Sequence, residues 1–175
     1  MIKDLIDKAL AHWVGLKLNC HPGHIPSNML TGEAQDDWAF WVAVPSTVTD
    51  GDIAELEGEW AIRLSPQYRE VLQHRHFIEL QIGEVSLFPH PSDGWKEAIR
   101  KRVFGCYPRE LLYGRGFLPF ADFSDWGLWC FGINDQNVDG EYPIYLWDHD
   151  KPDEFQRIAD DLTSGLTEQA KPQNA

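Results

Sequence analysis

The chain is poor in cysteine and has no long apolar run, and each shortage excludes a class of protein. Its three cysteines, Cys20, Cys106 and Cys130, are odd in number and widely spaced. This pattern does not fit a disulfide framework and predicts reduced thiols in a cytoplasmic protein. No apolar run approaches the roughly 18 residues of a membrane-spanning helix. The opening sequence, MIKDLIDKAL, mixes both charge signs and lacks the continuous apolar stretch of a signal peptide.

Positive charge is also scarce. The 15 Lys and Arg residues face 28 Asp and Glu residues, which gives a net charge of -13 and a pI near 4.8. Because phosphate contacts need a cationic surface, we do not expect nucleic acid as a direct ligand. The charge favours a soluble protein, with or without a basic partner. A length of 175 residues and an apolar fraction of 43% fit one folded domain, with or without an extension.

Motifs of nucleophilic and phosphate chemistry are missing. The chain has no GxSxG, no Walker loop, and no GxGxxG that follows a strand and opens a helix. Cys130 lies inside a predicted strand between Trp129 and Phe131, which is typical of a small buried hydrophobe rather than a reactive thiol. We therefore expect no catalytic residue and no cofactor, although a Cys–His pair assembled by the fold stays open.

Two histidine-containing segments come nearest to a metal site. Cys20-His21-Pro-Gly-His24 offers thiolate and imidazole ligands, but a structural zinc site takes four ligands in paired short spacings, and no second pair is present. His74-Arg-His76 falls at a predicted helix end, where a cation suits the helix dipole. We assign no metal to either segment. The Cys20/His21/His24 loop stays open as an alternative metal-binding, small-molecule-binding or catalytic site.

Apolar periodicity predicts an α+β fold, with a mixed, largely antiparallel sheet and helices packed against it. The strands near the C-terminal end are joined by short loops, which favours antiparallel pairing. Residues 19–37 are rich in Pro, Gly, Asn and Asp and predict a loop. Helices are predicted from Ile2, Asp50, Ser65-Pro66, Ser92 or Asp93, and Pro152, and strands at residues 38–44, 78–82, 85–87, 118–121, 127–133 and 142–147.

Residues 117–150 combine aromatic strands with acidic loops. From residue 121 to residue 161 there are eleven Asp or Glu and two Lys or Arg, a net charge of -9. Solvated turns explain many of these acids, and a cation site or an acid/base pair is the alternative. Trp126 and Trp147 border the loops, and Trp in polar surroundings is common at binding hot spots. The candidate partner-binding residues are Asp125, Trp126, Asp135, Asp139, Trp147, Asp148 and Asp150.

Three segments resemble the SUKH superfamily, the Smi/Knr type of domain. The sequences Ile53-Ala-Glu-Leu-Glu57 and Leu64-Ser-Pro-Gln-Tyr-Arg-Glu-Val-Leu72 are similar to the first two helices of that family. Gly116-Phe-Leu-Pro-Phe-Ala121 and Gly127-Leu-Trp-Cys-Phe131 are similar to its strand pair. Tyr142-Pro-Ile-Tyr-Leu-Trp-Asp-His149 resembles its closing strand. The resemblance divides the chain into an N-terminal helix and strand extension (1–48) of the same domain, a SUKH-like domain (49–168) and a polar tail (169–175).

This resemblance implies a non-enzymatic domain. In bacteria such domains commonly serve as cytoplasmic immunity proteins that bind and neutralise a cognate toxin, often a nuclease. We expect a basic protein partner, since an acidic inhibitor suits a basic toxin. A regulatory or scaffold module of the Smi/Knr kind is an alternative, as is use of the Cys20/His21/His24 loop for metal or small-molecule binding or for catalysis. We expect neither nucleic acid nor membrane as a partner.

Overall fold

The computed structural model describes residues 1–35 and 38–172, and it confirms the α+β class. Three of the helices begin at side chains that cap their first backbone N–H groups. Thr49 and Asp161 each form a reciprocal capping box, and Ser65 accepts a hydrogen bond from the Tyr68 amide, with Pro66 at the first helical position. The helices are α1 (Ile2–Gly15), α2 (Asp50–Trp60), α3 (Pro66–His74), α4 (Trp95–Phe104) and α5 (Leu162–Gln169).

The main sheet has six strands in the order β11-β10-β9-β8-β7-β6, each antiparallel to its neighbours. Its strands are β6 (Leu80–Ile82), β7 (Val85–Leu87), β8 (Phe117–Phe123), β9 (Gly127–Gly132), β10 (Ile144–Asp148) and β11 (Phe155–Ala159). A small sheet contains β1 (Cys20–His21), β2 (Leu30–Gln35) and β3 (Trp38–Trp41), and a two-stranded ladder joins β4 (Val44–Pro45) to β5 (Arg75–His76).

The core receives buried side chains from all five helices and from the sheet. Tyr68 of α3 packs on Phe120 and Phe131, with ring centroids 6.0 and 5.3 Å away. Five consecutive residues of β9 are buried, so this strand is covered on both faces. The fully buried large side chains are Trp41, Trp60, Trp129, Trp147, Phe77, Phe120, Phe131, Ile6, Met29, Ile53, Leu56 and Leu72.

Two expectations about secondary structure are wrong. The predicted loop at 19–37 contains β1 and β2, although residues 36 and 37 lie outside the described residues. The helix predicted from Pro152 begins only at Leu162, and the segment before it is strand β11. Phe155, Ile158, Ala159 and Leu162 fit helical spacing, but the strand instead pairs with β10 and stacks Phe155 on Phe117 at 3.7 Å. Tertiary pairing therefore overrides the local pattern.

The locally basic stretch from Lys96 to Arg115 is largely neutralised by the fold. Lys96 and Arg100 of α4 pair with Asp52 and Glu59 of α2, at 2.9 and 2.5 Å. Arg102 pairs with Asp122 of β8. These contacts tie α4 to its neighbours, so the same cations are not free to form an anion-binding patch.

A buried histidine pair joins the N-terminal segment to the rest of the fold. The rings of His76 and His90 lie 4.6 Å apart, and both residues are fully buried. The Thr47 amide donates to Nε2 of His76 at 3.0 Å, so this nitrogen carries no proton. His90 Nδ1 donates to the carbonyl of Arg75 at 3.0 Å. Burial lowers the pKa of both side chains, and that of His90 falls to about 3.

We predict that this pair makes the protein acid-sensitive. Because the folded pKa of His90 lies below the unfolded value, its contribution to stability is present above about pH 6.5 and is lost as the pH falls toward 3. Between these two pH values the expected loss from His90 is about 1.4 kcal/mol per pH unit, and protonation of His76 adds to it in the same direction. Urea unfolding from pH 7 to pH 4.5 measures it. His90→Asn keeps a donor for the Arg75 carbonyl but cannot take up a proton, so its free energy of unfolding should fall less steeply. If the free energy of unfolding fell equally steeply with pH in both proteins, the prediction would be contradicted.

Candidate protein-binding surface

The turn between β8 and β9 presents an exposed aromatic side chain. Ser124 adopts a positive φ of 49°, and its amide donates to the Glu84 carbonyl at 2.8 Å, which holds the turn against the β6–β7 hairpin. Trp126 is 36% exposed, and its ring meets that of Phe123 edge to face at 5.2 Å. The turn therefore fixes a Trp ring at the surface.

Three acidic residues lie at the same end of the sheet as this ring. Asp125 lies in the same turn, and Asp148 at the end of β10 pairs in register with Gly127. The His149 amide donates to the Trp126 carbonyl at 3.3 Å, and the Asp150 amide donates to Oδ1 of Asp148 at 2.9 Å. We call Asp125, Trp126, Asp148 and Asp150 the Trp126 cluster. The structure thus brings together four of the seven residues that the sequence singled out.

Asp135 and Asp139 lie in the loop between β9 and β10, at the opposite end of these strands. Six residues of β9 separate the two ends, a distance of about 17 Å at the usual strand rise. Hydrogen bonds hold this loop in place. Tyr145 Oη of β10 donates to Asp135 at 3.1 Å, and Oδ1 of Asn137 accepts from the Asp139 amide at 2.9 Å. The acidic candidate residues therefore lie at both ends of these strands rather than together.

Trp147 is not a surface residue, and the expectation that it borders a docking face needs correction. Only 1% of its surface is exposed. Its indole Nε1 donates to the Pro152 carbonyl at 3.1 Å, and its ring packs on Tyr107 at 5.1 Å. Since Arg115 also donates to the Pro152 carbonyl, the loop after β10 folds back over the Trp147 ring. Trp147 instead fixes the loop that carries Asp150.

An open groove of about 700 Å³ lies between α5 and the strands β9, β10 and β11. Apolar side chains of Phe123, Trp129, Leu146 and Ile158 line it. Phe123 stacks on Trp129 at 6.3 Å, with ring planes 10° apart, and it also touches Trp126, so the groove continues to the Trp126 cluster. Sequence reasoning missed the groove, because it placed Ile158 on the stripe of a helix rather than on an edge strand.

The histidines of the Cys20/His21/His24 loop contact carboxylates outside that loop. His21 Nδ1 contacts Glu79 at 3.0 Å and His24 Nε2 contacts Asp93 at 3.2 Å, so the two imidazoles have separate partners. Over residues 1–35 and 38–172, no three His, Cys, Asp or Glu side chains are grouped as a metal site. Within the same residues, no helix is long and apolar enough to cross a membrane.

Two acids of the 121–161 segment have a raised pKa, and both are engaged by structural contacts. Burial raises the pKa of Asp122, which pairs with Arg102 of α4. Burial also raises the pKa of Glu141, whose Oε1 accepts a hydrogen bond from the Gln67 amide at 3.0 Å, at the start of α3. Asp122 therefore links β8 to α4, and Glu141 links the segment before β10 to the start of α3.

We predict that the two Trp residues differ sharply in their effect on stability. Trp147→Ala removes a buried ring and leaves the Pro152 carbonyl with one donor fewer, and should lower the free energy of unfolding by about 3–5 kcal/mol. Trp126→Ala removes a partly exposed ring and should cost about 1 kcal/mol or less. Chemical denaturation of both variants tests this. Equal losses would mean that the two rings are packed alike.

Comparison with known proteins agrees with the fold. Among curated proteins, none is significantly similar to the chain. The family model of the SMI1 / KNR4 family (SUKH-1) matches residues 47–168, which is most of the chain and includes the six strands of the main sheet and helices α2 to α5. The resemblance inferred from the helix starts and the aromatic strands is confirmed, and the chain belongs to the SMI1 / KNR4 family (SUKH-1).

Proposed function

We propose that this protein is a non-enzymatic immunity protein that binds and neutralises a basic toxin in the cytoplasm. Domains of its family are generally non-catalytic and of the immunity type. The observation that carries the proposal is the Trp126 cluster, in which a partly exposed ring and three acidic residues lie at the same end of the sheet. An aromatic anchor with a charged rim is the usual composition of a protein-binding hot spot.

The charges of the cluster favour a cationic partner. Asp125 and Asp148 form no ion pair within the described part of the chain, and Asp150 has His149 at 3.7 Å. Asp125 and Asp148 lie at the same end of the sheet, so their charges add there to the field of a chain with a net charge of -13. Such a field speeds encounter with a basic protein and repels acidic ones. We also propose that residues 1–48 extend the same domain, since α1 packs on α3.

A regulatory or scaffold role of the Smi/Knr kind would use the same surface for a different protein. No observation favours it over the immunity role. The genes that flank this one separate the two, because an adjacent toxin-like gene is expected only for an immunity protein. The metal-binding alternative gains no support, since His21 and His24 have separate carboxylate partners.

We predict that the protein co-purifies with the product of a toxin-like gene beside its own. Co-expression should also restore growth to cells that produce this toxin. Because electrostatic attraction contributes to the encounter, the association rate should fall as the salt concentration rises from 50 to 500 mM. Absence of a complex at low salt, together with no rescue of growth, would overturn the proposed function.

We predict that the complex depends on one acidic end of the sheet. Asp125→Asn/Asp150→Asn should slow association with the toxin and weaken binding about tenfold or more, since two carboxylates of the Trp126 cluster are lost. Asp135→Asn/Asp139→Asn is the matched control, as it removes the same charge from the opposite end, and should change binding less than threefold. Trp126→Ala should weaken binding about 30-fold, which corresponds to about 2 kcal/mol. Surface plasmon resonance measures all three variants, and equal effects of the two double variants would contradict the assignment.

A further inference from the structure

The groove beside α5 is an uncovered part of the core face of the sheet. Helix α5 has eight residues and packs closely where Gly165 meets Trp129. A Cβ at Gly165 would lie 3.1 Å from the Trp129 ring, so glycine lets the helix approach the ring closely. The helix leaves Phe123 and Leu146 only partly buried, and Ile158 of the edge strand stays 36% exposed. The result is an apolar floor with open access from solvent.

The groove and the Trp126 cluster form one continuous surface. Phe123 touches the Trp126 ring on one side and stacks on Trp129, in the floor of the groove, on the other. A partner that contacts Trp126 therefore has an apolar recess directly beside it. Burying one large apolar side chain in such a recess contributes about 1.5–3 kcal/mol, which is the scale of a binding hot spot.

The rim of the groove limits the chemistry of its occupant. The carboxylates of the rim belong to Asp160 and Glu168. Asp160 pairs with Arg157 at 2.7 Å and Glu168 pairs with Lys171, both at i,i+3 spacing. All four side chains are exposed. Exposed pairs of this kind contribute about 1 kcal/mol or less, so a cation of the partner can replace either basic side chain. Together with Asp125 and Asp148 nearby, the rim favours a basic segment and disfavours an acidic one.

We propose that the groove receives a large apolar side chain, flanked by Lys or Arg, from the toxin that the Trp126 cluster binds. This inference rests on the proposed function and names the part of the partner that the site recognises. The flanking cations pair with Asp160 and Glu168, and the apolar side chain packs on Phe123, Leu146 and Ile158.

Filling the groove tests the proposal. Glu168→Trp places a bulky ring at the groove, and should weaken toxin binding at least tenfold. Thr167→Trp adds the same ring one residue earlier on the exposed part of α5, outside the groove lining, and should change binding less than twofold. Glu168→Gln removes the charge without the bulk and should weaken binding two- to fivefold. Thermal unfolding of each variant confirms that the fold is kept. Binding of Glu168→Trp equal to that of Thr167→Trp would overturn the inference while leaving the proposed function standing.

A peptide probe tests the groove without the toxin. We expect acetyl-Lys-Lys-Phe-Lys-Lys-amide to shift the NMR resonances of the Trp126 and Trp129 indoles and of the Leu146 and Ile158 methyl groups, and to lose this effect in Glu168→Trp. The matched peptide with Glu in place of Lys should shift none of them. If the basic peptide maps to the groove but no toxin complex forms, the groove chemistry is supported and the proposed function fails. Shifts spread over both acidic ends of the sheet, or self-association that Glu168→Trp abolishes, would overturn the inference.

Discussion

The antiparallel pairing of β9 with β8 on one side and β10 on the other is the constraint on which the site depends. Because β9 is buried on both faces, its register cannot slip by one residue without moving Trp129 and Phe131 away from the core. This register aligns the start of β9 with the end of β10, through Gly127 and Asp148. The position of the Trp126 cluster is therefore a consequence of core packing rather than of the acidic loops themselves.

The same pairing divides the charge of the C-terminal region. The loop with Asp135 and Asp139 lies about 17 Å from Asp125, at the other end of the strand pair. The two Trp residues that border acidic sequence also differ in exposure. Trp126 lies in a tight turn and keeps an exposed edge, whereas Trp147 is covered by Tyr107 and by the loop that returns to Arg115. The proposed binding role therefore falls to Trp126, whereas Trp147 is a buried structural residue.

Much of the fold could be predicted because its signals are local. Ser65-Pro66 marks the start of α3, and the continuous apolar run of β9 is typical of a strand covered on both faces. Strand β11 could not be predicted in this way, since Phe155, Ile158 and Ala159 fit a helix equally well and only pairing with β10 decides between the two. The acids of the candidate site could be found from composition. Their division between two ends, the burial of Trp147 and the groove beside α5 depend on contacts between residues distant in sequence.

Amide hydrogen exchange of the protein alone and in complex with the proposed toxin tests the Trp126 surface most directly. We expect slower exchange in the complex at residues 123–127 and 148–150, with the loop at 134–139 unchanged. Protection confined to 134–139, or absent from both ends of the sheet, would contradict a binding surface centred on Trp126.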